Sequence, residues 1–562
     1  MRFYLGIAGL GDHDAAAAVV DGEGRVIAAA EEERYTRVKF DPSFPVNSVN
    51  FCLAKAGIGM GDISEIGYYF DPRLYRREKI IFSVKNIRHA PELLGKAAKF
   101  AKFNRAKKII RERLKYKGTI SCIRHHLCHA ASVFFSSPFS RAAIVSIDGA
   151  GEWETAWIGR GSGKTIDAFE SIMWPHSLGK VYGAFTQFLG FKCDSDEYKV
   201  MGLSAYGEPS YYEKFRDILK VTEDGKFAVN ESYFRFPYGS PVLFSKKCEQ
   251  LFGKPVKKFT NASKRDRDLA ASLQKRVEDC FLSYVDRAVK ITGIRDVCIV
   301  GGVALNCLAV GKIIKNKIAD SVYVCPASSD AGCALGAAHY LAGARSPRYK
   351  RSPLINAYLG DSFTDEEIEG YLNRSGIDYG DRGDQIVDAA AELIAEGKVV
   401  GWFQGRTEYG QRALGARSIL ANPQIADMKK IVNEKVKFRE PFRPFAPSIL
   451  NEARNQYFDC GAHTSSFMTH TFEAKPGTAK KIPAVIHADG TARVQTVTKT
   501  ENGIYYELIK KVGEKTGIPA VLNTSFNVKG EPIVNNPEDA VNCFLKAGLD
   551  ALAIGRFLIE RR

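Results

Sequence analysis

The first 60 residues alternate between short apolar runs and turn residues. Phe3–Ala8 is an apolar run ending in Gly9-Leu10-Gly11. Positions 15–20 form a second run, Asp21-Gly22-Glu23-Gly24 is a turn, and 25–30 returns. Short apolar runs bounded by glycine and aspartate predict buried strands joined by tight hairpins. The same plan restarts at Ala142: 143–147 is apolar, Asp148-Gly149-Ala150-Gly151 turns, and 155–159 returns. Further along the period lengthens. Positions 269–292 carry apolar residues at helical spacing and lead into 297–306, which reads as a buried strand, a Gly301-Gly302 turn and a helix start. A strand at 321–325 ends at Pro326, and Asp330-Ala331-Gly332 opens a helix of small residues. Beyond 353 come a helix at 385–397, a strand at 399–404, a Gly/Arg-rich stretch at 405–417 and a helix at 537–547. Alternating strands and helices predict an α/β protein.

The two copies of strand, glycine turn and strand match the plan of two-lobed, actin-like ATPases. In those proteins each hairpin turn presents backbone N–H groups to a phosphate, because glycine lets the chain come close. On that reading Gly149, Gly301 and Gly302, with Asn306 at the following helix start, are candidate nucleotide-binding positions. At 562 residues the chain exceeds one ordinary core. The stretch 345–353 holds Ser346-Pro347 and Ser352-Pro353 amid four Lys/Arg. It reads as a linker dividing 1–345 from 355–562.

Composition narrows the class. The chain is 45% hydrophobic and 26% charged, as globular proteins are. No apolar run approaches the roughly 18 residues that span a bilayer, and no signal-peptide pattern opens the sequence, so a cytoplasmic protein is expected. Its 12 cysteines include no C-x-x-C pair and read as reduced, mostly buried thiols. The net charge of +16 is concentrated: 76–117 holds 15 Lys/Arg against three Glu. Leu93, Leu94, Ala97, Phe100 and Phe103 recur there at helical spacing, so basic amphipathic helices are expected. Such a segment serves as a solvated face, attracts an anionic acceptor, or docks on a membrane or nucleic acid. Charge alone does not choose.

The chemistry begins at His125-His126-Leu127-Cys128-His129. On a helix His125 and His129 share a face, the spacing that lets two imidazoles bind one metal, while His126 points about 100° away. A capped or core histidine cluster is the plainer alternative. Asp148, on the second hairpin turn, and Asp330, at a strand-to-helix junction, would complete an N2O2 set, though each alone reads as a turn or cap residue. That donor set suits Fe(II) or Mn(II) better than structural zinc.

These residues resemble the metal site of the tRNA threonylcarbamoyl-transfer ATPases and of the related O-carbamoyltransferases. Gly405-Arg406-Thr407-Glu408-Tyr409-Gly410-Gln411-Arg412, with Lys437-Phe438-Arg439-Glu440-Pro441-Phe442-Arg443 and Leu522-Asn523-Thr524-Ser525-Phe526-Asn527, resembles the C-terminal signature of the NodU/CmcH/TobZ carbamoyltransferases. Glu31-Glu32-Glu33-Arg34 and the segment 199–207 fit the same family, so the resemblance covers nearly the whole chain.

The resemblance implies an actin-like (ASKHA) N-terminal domain and a YrdC-like α/β C-terminal domain. It implies that the C-terminal domain combines carbamoyl phosphate and ATP, with Mg(II), into carbamoyl adenylate. Arg412, Lys437 and Arg443 match the family's anion ligands, Ser525 its hydroxyl contact, and Asn523 is a weaker match. The N-terminal domain would receive the adenylate and pass the carbamoyl group to a hydroxyl. His13 matches the family's acceptor-side histidine and is the general-base candidate, with Asp12 as runner-up and Lys39 as a further catalytic candidate. The expected acceptor is a small molecule, a sugar by family habit, anionic or nucleotide-linked if the basic segment serves it. Nucleic acid is not an expected partner; membrane contact through 76–117 and a dimer both stay open. A tRNA-modifying transferase would share the metal site but lack the C-terminal cations, and a silent binding subunit would not need either set. Cys128, between the two histidines, departs from the family's small residue and sets a thiol beside the expected metal.

Overall fold

The opening apolar runs fold into a meander. Strands β1 (Phe3–Ala8), β2 (Ala16–Asp21) and β3 (Val26–Glu31) pair antiparallel. Strands β4 (Ile63–Tyr68) and β5 (Thr119–Cys122) add in parallel on the free side of β1, giving the order β3-β2-β1-β4-β5. The second run of the pattern repeats this plan. Strands β6 (Arg141–Ile147), β7 (Glu154–Ser162) and β8 (Thr165–Met173) form the meander. After a small hairpin of β9 (Leu219–Val221) and β10 (Phe227–Val229), strands β11 (Asp296–Val300) and β12 (Ser321–Val324) add in parallel beside β6. The order β8-β7-β6-β11-β12 reproduces the first sheet strand for strand, the duplicated core of the actin-like class. These coordinates are a computed structural model describing residues 2–11 and 13–561. They fall into two compact units, Met1–Glu32 with Phe40–Pro353, and Glu33–Lys39 with Leu354–Arg562.

Small residues let the elements of the first unit close on one another. The helix Asp330–Arg345 lies against β1 and β2 and against the helix His125–Ser136. A Cβ on Gly6 would fall 1.8 Å from the Ala334 carbonyl oxygen, and one on Gly336 the same distance from that of Cys128. Only glycine tolerates such backbone contact, and it sets Asp330 beside the histidine helix. The 29-residue helix Lys264–Thr292 is longer than its apolar pattern, because Ser263 and Asp266 form a capping box ahead of it.

The stretch 345–353, expected as a linker, is instead pinned to the first unit. Tyr349 is fully buried, the Lys350 N–H donates to Glu23, and the Arg351 guanidinium donates to the carbonyls of Phe134, Ser137 and Phe139. The basic segment forms the expected helices, Arg76–Lys85, Ala90–Asn104 and Ala106–Leu114. No helix among the described residues is long and apolar enough to cross a membrane.

The second unit is built on a mixed sheet of eight strands. They are β13 (Gly380–Asp381), β14 (Val400–Phe403), β15 (Arg417–Ala421), β16 (Ala446–Leu450), β19 (Gln495–Val497), β20 (Ala520–Ser525), β21 (Ala551–Ile554) and β22 (Phe557–Glu560). Their order is β13-β22-β21-β14-β15-β20-β16-β19, with a separate small hairpin of β17 (Phe472–Glu473) and β18 (Thr491–Ala492). The helices Ile386–Ala395 and Gly503–Thr516 pack together beside it. The early segment Glu33–Lys39 belongs here: Arg34 donates to the Gly410 carbonyl at 2.8 Å, and Arg37 to those of Ile533 and Pro532 at 2.7 and 3.0 Å.

Candidate functional site

The helix His125–Ser136 carries His125 and His129 one turn apart, their rings 4.6 Å centre to centre. Glu152 caps this helix by accepting the His125 N–H at 3.0 Å, and it also accepts the Asp71 N–H at 2.8 Å. Asp148 follows β6, and Asp330 begins its own helix. All four side chains converge. Asp148 Oδ2 lies 3.0 Å from His125 Nε2 and 3.2 Å from His129 Nε2, and Asp330 Oδ1 lies 3.6 Å from each. Atoms bound to one ion at ~2.1 Å lie roughly 3.0–3.4 Å apart on the edges of an octahedron or tetrahedron. The donors therefore fit a single metal ion with little movement. His126 points elsewhere, as its angular position predicts, with Nδ1 on Ser146 and Nε2 on the Glu154 carbonyl.

Charge keeps the set polar despite burial. Burial works against the Asp148 carboxylate, but the two imidazoles hold it well below the usual range. Burial would likewise lower His129, yet its hydrogen bonds with Asp148 and Asp330 raise it to about 9. Cys333, one turn along from Asp330, brings its sulfur within 4.8 Å of donor atoms of His125, His129 and Asp330. Sequence reasoning fixed on Cys128 as the nearby thiol. Cys333 was the one to find, from its i+3 spacing to Asp330.

The glycines expected to cradle a nucleotide have a second duty. The Gly302 N–H donates to Asp148 Oδ1 at 3.0 Å, and a Cβ there would stand 2.9 Å from that oxygen. Gly301 has φ +93°, and a Cβ on it would meet the Ile147 carbonyl oxygen at 2.3 Å. Together they seat Asp148. Gly149 lies beside the Lys180 side chain. The Asn306 carboxamide is engaged within the fold: it exchanges two hydrogen bonds with Gln274 and accepts the Ala309 N–H as a helix cap. His13 pairs with Asp14 at 3.4 Å and keeps 32% of its side chain exposed. Partial burial would depress it, but Asp14 prevails and raises it to about 10, with Asp330 and Asp194 adding to the effect. Asp12 lies outside the described residues.

In the second unit a π-turn at Val432–Val436 delivers Lys437, a geometry frequent at functional sites. Lys437 is 4% exposed. Its ammonium donates to the carbonyl oxygens of Ser525 and Asn527 at 2.7 Å each and to Asn527 Oδ1 at 2.6 Å, with Ser525 Oγ at 3.4 Å. Burial, reinforced by the charges of Arg439, Arg443 and Lys39, holds it well below an ordinary lysine. Lys437 is thus a buried cation among cations, bonded to neutral oxygens. Lys39, a catalytic candidate from the sequence, lies with this cluster, because 33–39 is part of the second unit. Arg443 faces Glu440 at 3.8 Å, and Arg412 lies half-buried on the loop joining β14 and β15. Asn523 is 2% exposed and donates to Ala413, Ser448 and Gln495, so its amide group braces the Arg412 loop.

The carbamoyltransferase N-terminus family matches residues 4–339, and the carbamoyltransferase C-terminus family matches 391–561. The uncharacterized protein sll1178 of Synechocystis is 37% identical over 606 aligned positions, covering 100% of this chain and 97% of that one. Nodulation protein NolNO of Sinorhizobium fredii is 37% identical over 560 positions, covering 98% and 79%. Nodulation protein NolO of Bradyrhizobium diazoefficiens is 38% identical over 446, covering 78% and 79%. With both halves matched in order, the chain belongs to the carbamoyltransferase family. It is an enzyme, and the group it transfers is carbamoyl.

Proposed function

We propose that in its second unit the enzyme splits carbamoyl phosphate with water into carbamate and inorganic phosphate, and that a carbamate oxygen then attacks the ATP α-phosphorus, displacing pyrophosphate to give carbamoyl adenylate. In the first unit it then moves the carbamoyl group to a hydroxyl of a small, sugar-like acceptor. The observation that carries this reading is the convergence of His125, His129, Asp148 and Asp330 within 3.0–3.6 Å in the first unit. The buried Lys437 nest supports the adenylation half, since two anions can meet only where fixed cations cancel their repulsion.

His125, His129, Asp148 and Asp330 would hold the metal, with Fe(II) or Mn(II) suited to the donor set. When bound, it supplies Lewis-acid polarisation of a carbonyl or phosphoryl oxygen. The chain's own residues do the rest. The acceptor oxygen attacks the carbamoyl carbon, the bond from that carbon to the adenylate oxygen breaks, and AMP leaves. The hydroxyl proton leaves through the His13–Asp14 pair, in which His13 becomes a base only after giving up the proton that Asp14 stabilises.

The acceptor reading draws on a ring-lined wall near this site. Trp153 follows Glu152 and meets Phe82 and Trp174, and Tyr238 stacks on His89. The Lys96 ammonium sits 3.7 Å over the Trp174 ring and is pushed to about 7 by burial, then by the charges of Lys180 and Lys79. Aromatic faces suit a sugar ring, and clustered lysines suit phosphate on it. A phosphate-bearing sugar fits both.

The test follows pyrophosphate release from carbamoyl phosphate and ATP with Fe(II). Wild type should release it; Lys437→Ala should not. His129→Ala should release it yet transfer nothing. Absence of pyrophosphate from wild type with every metal tried would sink adenylation.

A further inference from the structure

The helices of the basic segment have two unlike faces. Inward, Phe82 meets Trp153, His89 stacks on Tyr238, Lys96 covers Trp174, and Phe103 stacks on Phe70. Outward, the helix Arg76–Lys85 buries no residue at all. Ile80, Val84, Ile87 and Leu94 are 64%, 67%, 71% and 70% exposed, and Ile81 is 42% exposed. Among the described residues only one other large hydrophobic, Ile355, exceeds 60%. Ile80 and Val84, spaced i, i+4, form a stripe on the helix Arg76–Lys85, and Ile87 continues the exposed run in the 3₁₀ turn Ile87–His89 that follows. The segment 76–117 that carries these aliphatics also carries most of the chain's excess positive charge, 15 Lys/Arg against three Glu.

Scattered surface aliphatics need no explanation, but a stripe of them within a basic field does. A second copy of this chain would set the same positive field against itself, which repels. Nucleic acid would meet the charge and leave the aliphatic stripe unsatisfied. An anionic bilayer satisfies both, taking the side chains into the boundary between headgroups and acyl chains and the cations onto lipid phosphates.

We propose that the helices Arg76–Lys85 and Ala90–Asn104, with the turn Ile87–His89 between them, dock on an anionic lipid surface through Ile80, Val84, Ile87 and Leu94. The inference is independent of the adenylation reading. Its test is sedimentation of the full chain with vesicles of phosphatidylglycerol or of phosphatidylcholine, at low and high salt. The protein should pellet with the anionic vesicles only, and salt should release it. The triple variant Ile80→Ser, Val84→Ser, Ile87→Ser should bind at least about tenfold more weakly, with its carbamoyl-phosphate-dependent pyrophosphate release unchanged. No pelleting with phosphatidylglycerol, equal pelleting with phosphatidylcholine, or unaltered binding of the triple variant would each overturn the proposal. So would a dimer in light scattering that the serine variant dissolves, since that assigns the stripe to a second copy. Capture of an acidic protein without lipid binding would overturn it too.

Discussion

Gly302, though it has no side chain, helps build the candidate metal site. Its N–H fixes Asp148 Oδ1, which leaves Oδ2 facing the two imidazoles. Gly302→Ala would press a methyl group against that carboxylate. Residues that orient metal ligands typically carry about 10–100-fold in affinity. We expect a loss of that order in Fe(II) or Mn(II) affinity, read by calorimetry, with the thermal midpoint little changed. Lys437 gives a second test. On the proposed reading its ammonium seats an anion, and burial makes that proton easier to lose than in an ordinary lysine. Carbamoyl-phosphate binding should therefore weaken as pH rises through this lowered value, and be full below it. Lys437→Arg should remove that alkaline limb, because guanidinium stays charged. The His125–His129 pair and its two aspartates were legible from spacing and turn position. Cys333 was within reach of the same spacing argument, one turn along from Asp330, whereas Glu152 was not, since it meets the His125 N–H only once that helix packs beside it.

At the scale of the element, hydrophobic period located the helices well and misjudged the connections. The basic helices formed as the pattern of 76–117 predicts, but no sequence rule said which face would stay open. The stretch 345–353 looked like a linker because Pro and Ser dominate such segments, yet Tyr349 is buried in the first unit and Arg351 hydrogen-bonds to its carbonyls. The opposite happened at 33–39, a short charged stretch with no period to read. Arg37 makes two hydrogen bonds to backbone carbonyls and faces Asp539 at 3.4 Å. Arg37→Ala should cost the second unit roughly 2–3 kcal/mol, seen as an earlier unfolding transition in calorimetry while the first unit's transition stays put.

For the whole molecule, the duplicated hairpin turn was enough to announce a duplicated sheet, and strand order bears that out for all five strands of each copy. The eight-stranded sheet of the second unit was far less legible. Its strands run only two to six residues, which leaves too little period to detect.

The strap at 33–39 also bears on how such a gene can be rearranged. It is encoded well ahead of the rest of the second unit, yet it supplies Arg34, Arg37 and Lys39 to that fold. A crossover at 345–353 between two relatives would thus bring a foreign strap to each new C-terminal half. Productive recombinants should be those in which residues 33–39 and 354–562 descend from the same parent.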